Sequence, residues 1–216
     1  NASDDKNQDD IKTLNKVFGT DEYKTVPKVY CAVGDKSLDF VGGFWDTWNY
    51  LRPVIDYELL KNTAADVCYN LNKVIDRNFY PLQGVQDTNF KHRPIGIGVQ
   101  GLADTFAEML VEFDSDYAMR LNKEIFETIY YGAMSASIDL AEQDGPYSSY
   151  EGSPLSQGLF QFNLWGINDE KLSGLWDWSA LREKLMRCGA RNSLLTALMP
   201  TASTAQILGN NECFEP

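Results

Sequence analysis

A chain of 216 residues, 44% of them apolar, is long enough for one sizeable core or two small ones and too apolar to be disordered throughout. Its 31 acidic residues against 19 Lys and Arg give a formal net charge of −12. Such a surface repels phosphate backbones and anionic membranes, which argues against nucleic acid or lipid as the main partner while leaving room for a local small-anion pocket. The four cysteines, Cys31, Cys68, Cys188 and Cys213, stand far apart beside a single histidine. That pattern argues against a zinc site and for reduced thiols in an intracellular, cytoplasmic protein. No apolar run reaches membrane-spanning length, and the opening residues do not read as a signal peptide.

Residues 3–27 are polar and acidic, pass through "SDDKNQDD" and close on Pro27. They are expected to form a flexible lead-in, with "IKTLNKVF" as a short helix inside it. An aromatic-rich loop or turn is expected up to about Pro53, where Phe40, Phe44, Trp45 and Trp48 surround paired glycines. From about Asp56 to Asn78, Leu59, Ala64, Val67, Leu71, Val74 and Ile75 recur at three- and four-residue intervals, predicting a helix that Pro81 ends. "LADTFAEML" predicts another. A longer helix is predicted from Asp116 to about Gln143, burying Leu121, Ile125, Ile129, Ala133, Ala136 and Leu140. Its Tyr130 and Tyr131 read as core and boundary aromatics rather than a redox pair. Residues 144–175 are loop-rich. "WDWSALREKLMRCG" predicts a helix capped by Asp177 or Ser179 and stopped at Gly189. "SLLTALMP" reads as a short buried strand, and "TASTAQILG" opens a last helix.

Two stretches carry candidate chemistry. In "RPIGIGVQGLADTF", Gly96, Gly98 and Gly101 have the G-x-G-x-x-G spacing of a dinucleotide-binding turn. The preceding residues, "NFKHRPI", are charged and broken by Pro94, and the place for a ribose-binding acid at the end of a second strand falls in a helix. The dinucleotide reading therefore fails, and the glycines are expected to let a short strand, "IGIGV", pack closely before turning into a helix. In "LMPTASTAQILG", Thr201, Ala202, Ser203 and Thr204 join a strand end to a helix start. Small residues expose backbone N–H groups there, and the helix adds the positive end of its dipole, so the loop suits a phosphate. The same hydroxyls would also serve simply as helix caps. Pattern alone leaves both open.

The segments "HRPIGIGVQGLADTF", "NKEIFETIYYGA", "YEGSPLSQG", "LWDW", "RNSLL" and "MPTASTAQILGNNECFEP" resemble the large, catalytic chain of class I ribonucleoside-diphosphate reductase of the eukaryotic and viral type. The likeness is dense from about Leu71 to Pro216 and poor over residues 1–55. It implies an α/β fold, with residues 28–216 as a partial, helix-rich segment of a ten-stranded α/β barrel behind a lead-in at 1–27. It further implies reduction of ribonucleoside diphosphates by a thiyl-radical mechanism, with the substrate's phosphates held on Thr201, Ala202, Ser203 and Thr204. No cofactor is expected on the chain itself, the radical coming from a metal centre in a small subunit. The expected partners are the substrate, the remainder of the large chain and that subunit.

The family's radical cysteine lies in an Asn-Leu-Cys-x-Glu motif that has no counterpart upstream of the resembling region, so no catalytic residue is assigned. Asn211-Glu212-Cys213-Phe214-Glu215 spells N-x-C-x-E in the wrong place, which makes Cys213 structural. Cys31 is the sole candidate by order for the family's redox partner, in surroundings unlike the family's. Tyr130-Tyr131 is misplaced for the family's radical relay. The alternative to a reductase piece is a non-catalytic binding module derived from the same barrel.

Overall fold

A computed structural model describes residues 54–216. Residues 57–107 with 111–216 form one compact unit, which carries the elements below apart from Glu108. The lead-in, the aromatic loop at 40–50 and Cys31 lie outside the described residues.

This unit is organised by two long helices. The first, α1 (Tyr57–Arg77), follows the predicted span, but its apolar positions divide between two faces. Ala64, Cys68, Asn72 and Ile75 are buried, whereas Leu59, Val67 and Val74 are 64%, 36% and 56% exposed. The buried face thus includes a cysteine and an asparagine that a purely hydrophobic pattern passes over. A short helix, α2 (Gln83–His92), and another, α3 (Leu102–Glu108), precede the second long one, α4 (Asp116–Asp144). Ser115 caps α4 by accepting the Ala118 N–H at 3.1 Å, and Gly145 closes it. Five of the six residues expected on its buried stripe are buried, and Ala136 is half-buried.

The two long helices touch at backbone level. A Cβ at Gly132 of α4 would run into the carbonyl of Lys61 in α1, so only glycine allows this crossing. Beside it the Tyr57 hydroxyl donates to Glu124 at 2.5 Å. Burial and that carboxylate push the phenol's pKa well above its usual value.

After α4 the chain is loop-rich as expected, with 3-10 turns at Leu155–Gln157 and Asp169–Lys171 around a single-turn helix, α5 (Gln161–Leu164). Next comes α6 (Trp178–Cys188), capped by Asp177 and stopped at Gly189. Tyr130 and Tyr131 stack on Trp178 and Trp176, and Trp178 in turn packs on Phe160 and Phe162. Arg182 lies over the Phe160 ring, gives two bonds to Asp169 at 2.6 and 2.8 Å, and ties the loop to α6.

The two predicted strands meet as extended segments with one isolated parallel bridge, Ile97 to Thr196. Ile95 and Ile97 donate to Leu194 and Leu195, and Ala197 donates back to Ile97. A Cβ on Gly98 would run into the Ala197 carbonyl, so the fingerprint glycine serves this pairing. Among the described residues no longer strand forms, and the α/β expectation reduces here to a helix-rich segment around one parallel pair. Residues 194–199 also depart from the expected buried strand: Leu195 is buried, while Leu194, Leu198 and Met199 are 61%, 49% and 45% exposed.

Replacing Gly132 with Ala should destabilise the fold by about 2 kcal/mol, although Ala is the better helix former by about 1 kcal/mol. Urea unfolding of Gly132→Ala beside the parent chain measures it, and equal or greater stability would refute the close crossing.

Candidate functional site

The candidate loop leaves the extended pair at Met199-Pro200 and enters a seven-residue helix, α7 (Ala202–Leu208), that ends at Gly209. Thr201 joins them at φ 56° and ψ 14°, in the left-handed region. A β-branched side chain is costly there, by about 1–3 kcal/mol, and persists only where its surroundings fix it. The fixing bonds are visible. The Thr201 hydroxyl accepts the Cys213 N–H at 2.8 Å, and its carbonyl accepts the Ala205 N–H at 2.7 Å and the Thr204 hydroxyl at 2.9 Å.

This geometry bears on the two readings of the hydroxyls. Thr201 occupies the cap position but makes no capping bond with its side chain. Thr204 turns its proton back to the Thr201 carbonyl. Ser203 is exposed, as are Ala202 and Thr204. The amides of Ala202, Ser203 and Thr204 precede the first bond of the helical ladder, as the opening N–H groups of any helix do. The loop therefore presents first-turn amides and the Ser203 hydroxyl to solvent, a donor set with no acid–base or nucleophilic group of its own.

The C-terminal return lies against the glycine turn. Gly101 donates its N–H to the Asn211 carbonyl at 3.0 Å, and the Asn211 N–H goes to the Asp104 carboxylate at 2.6 Å. Gln100 donates to the Asn210 side chain at 3.2 Å. The turn that resembles a dinucleotide fingerprint thus spends its Gly101 amide on the backbone of Asn211. The bonds made by Asp104, Gln100 and Asn211 escaped the sequence reading. The available signal was an acid in the first turn of a helix, which usually signifies only favourable dipole charge.

The described cysteines are free thiols in distinct settings. Cys213 is buried, with φ 48°, behind Thr201. Cys68 is fully buried, and burial pushes its thiol up to about 12. Cys188 is half-buried. Among the described residues no three His, Cys, Asp or Glu side chains converge as metal ligands, and no helix is long and apolar enough to cross a membrane.

A helix-rich segment around one parallel pair, with a strand-to-helix loop at its edge, is the class that these elements define. Residues 28–216 match the family described as "Ribonucleotide reductase, barrel domain", and the chain belongs to that family. The match begins at residue 28 and so takes in a stretch whose resemblance looked poor. The chain is 47% identical to the ribonucleoside-diphosphate reductase large chain of Neurospora crassa over 214 residues, 99% of this chain and 22% of that protein. It is 54% identical to the large subunit of Acanthamoeba polyphaga mimivirus over 164 residues, 76% of this chain and 19% of the relative. For the Arabidopsis thaliana large subunit the identity is 55% over 161 residues, 74% and 19% of the two chains. The chain therefore spans about a fifth of the length of these relatives.

Among the described cysteines, brief iodoacetamide treatment at pH 8 should label Cys188 first and leave Cys68 and Cys213 unlabelled until urea is added. With its pKa near 12, only about one Cys68 in ten thousand is thiolate at that pH. Folding raises this pKa, so the associated stability is whole below the usual thiol range and fades as pH climbs toward 12. Peptide mass spectrometry reads the labelling, and modification of folded Cys68 at the rate of Cys188 would contradict its burial.

Proposed function

We propose that this chain is part of a ribonucleoside-diphosphate reductase large subunit and supplies its substrate-phosphate loop. In this reading the reaction reduces ribonucleoside diphosphates to deoxyribonucleoside diphosphates for DNA synthesis, in the cytoplasm. The observation that carries it is the conformation of residues 199–208 in a member of the reductase barrel family: an extended segment, a left-handed Thr201 and a helix whose cap side chain is turned elsewhere. A strained threonine held by three hydrogen bonds is a feature that function explains better than helix capping does.

Substrate diphosphate would be held by the amides of Ala202, Ser203 and Thr204 and the Ser203 hydroxyl, with the Thr201 hydroxyl engaged in supporting the loop. Charge-assisted bonds of this kind contribute about 1.5–3 kcal/mol each. The radical chemistry would fall to the rest of the large chain and to a small subunit whose metal centre generates the radical. Residues 28–216 would form part of a ten-stranded α/β barrel, behind the acidic lead-in at 1–27. The exposed Leu194, Leu198 and Met199 on the extended segment, with Ile207 and Leu208 on α7, support further barrel elements lying over this face. Alone, the chain would be inactive.

Reconstitution tests the reading. This chain, mixed with a fragment bearing the Asn-Leu-Cys-x-Glu segment and with the small subunit, should form deoxynucleotides, and Ser203→Asp should weaken nucleoside-diphosphate binding about 10- to 100-fold. A stable monomer that restores no activity, with diphosphate affinity untouched by Ser203→Asp, would instead mark a non-catalytic descendant of the barrel.

A further inference from the structure

The candidate loop and its helix form a segment closed on itself, because the Thr201 hydroxyl at its start holds the Cys213 amide at its end. The bonds that fix this closed segment to the rest of the unit converge on residues 95–104. At the near end, residues 95–97 set the register of 194–197 through the parallel pairing. At the far end Asn211 is gripped through both backbone groups: its carbonyl by the Gly101 N–H at 3.0 Å and its N–H by the Asp104 carboxylate at 2.6 Å. Asp104 is the third residue of α3, so its position follows from the helix that starts directly after the glycine turn. One carboxylate therefore connects the glycine turn, through Asn211 and Cys213, to the hydroxyl of the strained Thr201.

We propose that Asp104 is a positioning residue for phosphate binding: by holding Asn211 it keeps Cys213 against Thr201 and aims the first-turn amides of α7 at the substrate's diphosphate. The inference rests on the phosphate-loop reading above. Asp104 touches no substrate in this scheme. A carboxylate offers a phosphate no attraction of its own, so its benefit has to come through the bond it accepts from Asn211. A carboxamide, which also offers an oxygen, preserves that bond.

The test uses the full-length large chain carrying this segment, assembled with its small subunit, with CDP as substrate and pyrophosphate as a competitor that reports on the phosphate site alone. Asp104→Ala should raise the KM for CDP and the inhibition constant of pyrophosphate together by about tenfold, with kcat within about twofold and Tm unchanged. Asp104→Asn should stay within about threefold of the parent in all of these. If Asp104→Ala does not fold, Asp104→Glu, which displaces the carboxylate by one methylene, should show the same joint rise. An unchanged KM and pyrophosphate constant, or a fall in kcat and Tm without them, would overturn the positioning role. Ser203→Asp, measured in parallel, separates the two ideas: if it has no effect, the phosphate loop itself is refuted, whereas a strong effect there with none at Asp104 defeats only the positioning.

Discussion

The interaction on which the rest of the unit depends is a buried pair of amides. Asn72 on α1 and Asn192, just after α6, exchange hydrogen bonds of 2.9 and 3.1 Å. Asn192 also donates to the Arg93 carbonyl, receives the Ser137 hydroxyl from α4, and gives its own N–H to that hydroxyl. Arg93, 3% exposed, points its guanidinium back at Asn72 and Asp76. Among the described residues no buried side-chain nitrogen or oxygen lacks a partner. Each of these groups would cost about 1–3 kcal/mol if left unpaired in the interior, so the network accepts essentially one arrangement of α1, α4 and the segments at 93 and 192.

That constraint reaches the candidate loop through short, stiff connections. Arg93 leads into residues 95–97, and Asn192 leads into 194–197, so the amide pair brings together the starts of the two extended segments that bridge at Ile97 and Thr196. The Ser193 N–H to the His92 carbonyl adds a bond between them. From there Gly98 lets the backbones approach, and five residues after Thr196 the chain reaches Thr201. Under the proposed phosphate-binding role the loop would gain from this path, because a rigid scaffold reduces the ordering cost at binding.

Where apolar periodicity and terminal residues agree, the sequence was informative. Both long helices and the Gly189 stop were readable in it, as was the close packing of the "IGIGV" glycines, while the cap was narrowed to Asp177 or Ser179 and proves to be Asp177. It failed where burial is polar or where pattern is absent. Nothing in "QGVQDTNFKH" repeats with helical period, and α2 has no buried residue, so neither its presence nor its bounds could be read. Apolar spacing alone did not define the inward face of α1, because Cys68 and Asn72 are buried, Asn72 in a hydrogen-bonded pair with Asn192, while Leu59, Val67 and Val74 face outward. At the loop, residue types pointed to phosphate or capping with equal force. The detail that bears on the capping reading, the Thr201 hydroxyl committed to an amide twelve residues away, depends on a chain reversal that local patterning does not encode.

The distribution of satisfied and unsatisfied surface carries the last step. Inside, polar groups are matched to partners contributed by this unit. Outside, Leu59, Val67 and Val74 on α1, Leu194, Leu198 and Met199 beside the bridge, and Ile207 and Leu208 on α7 remain exposed. Scattered apolar residues on a surface call for no explanation, but runs of them along one helix face and one extended segment do. An extended segment with one neighbour also keeps an open edge, which a closed barrel would remove. The internal network can thus define the loop's geometry within this unit, while the apolar faces and the open edge favour completion by further elements. Under the proposed function, holding the phosphates and carrying out the reduction would be separable tasks, the first resting on the contacts around Thr201 and the second on the completed barrel.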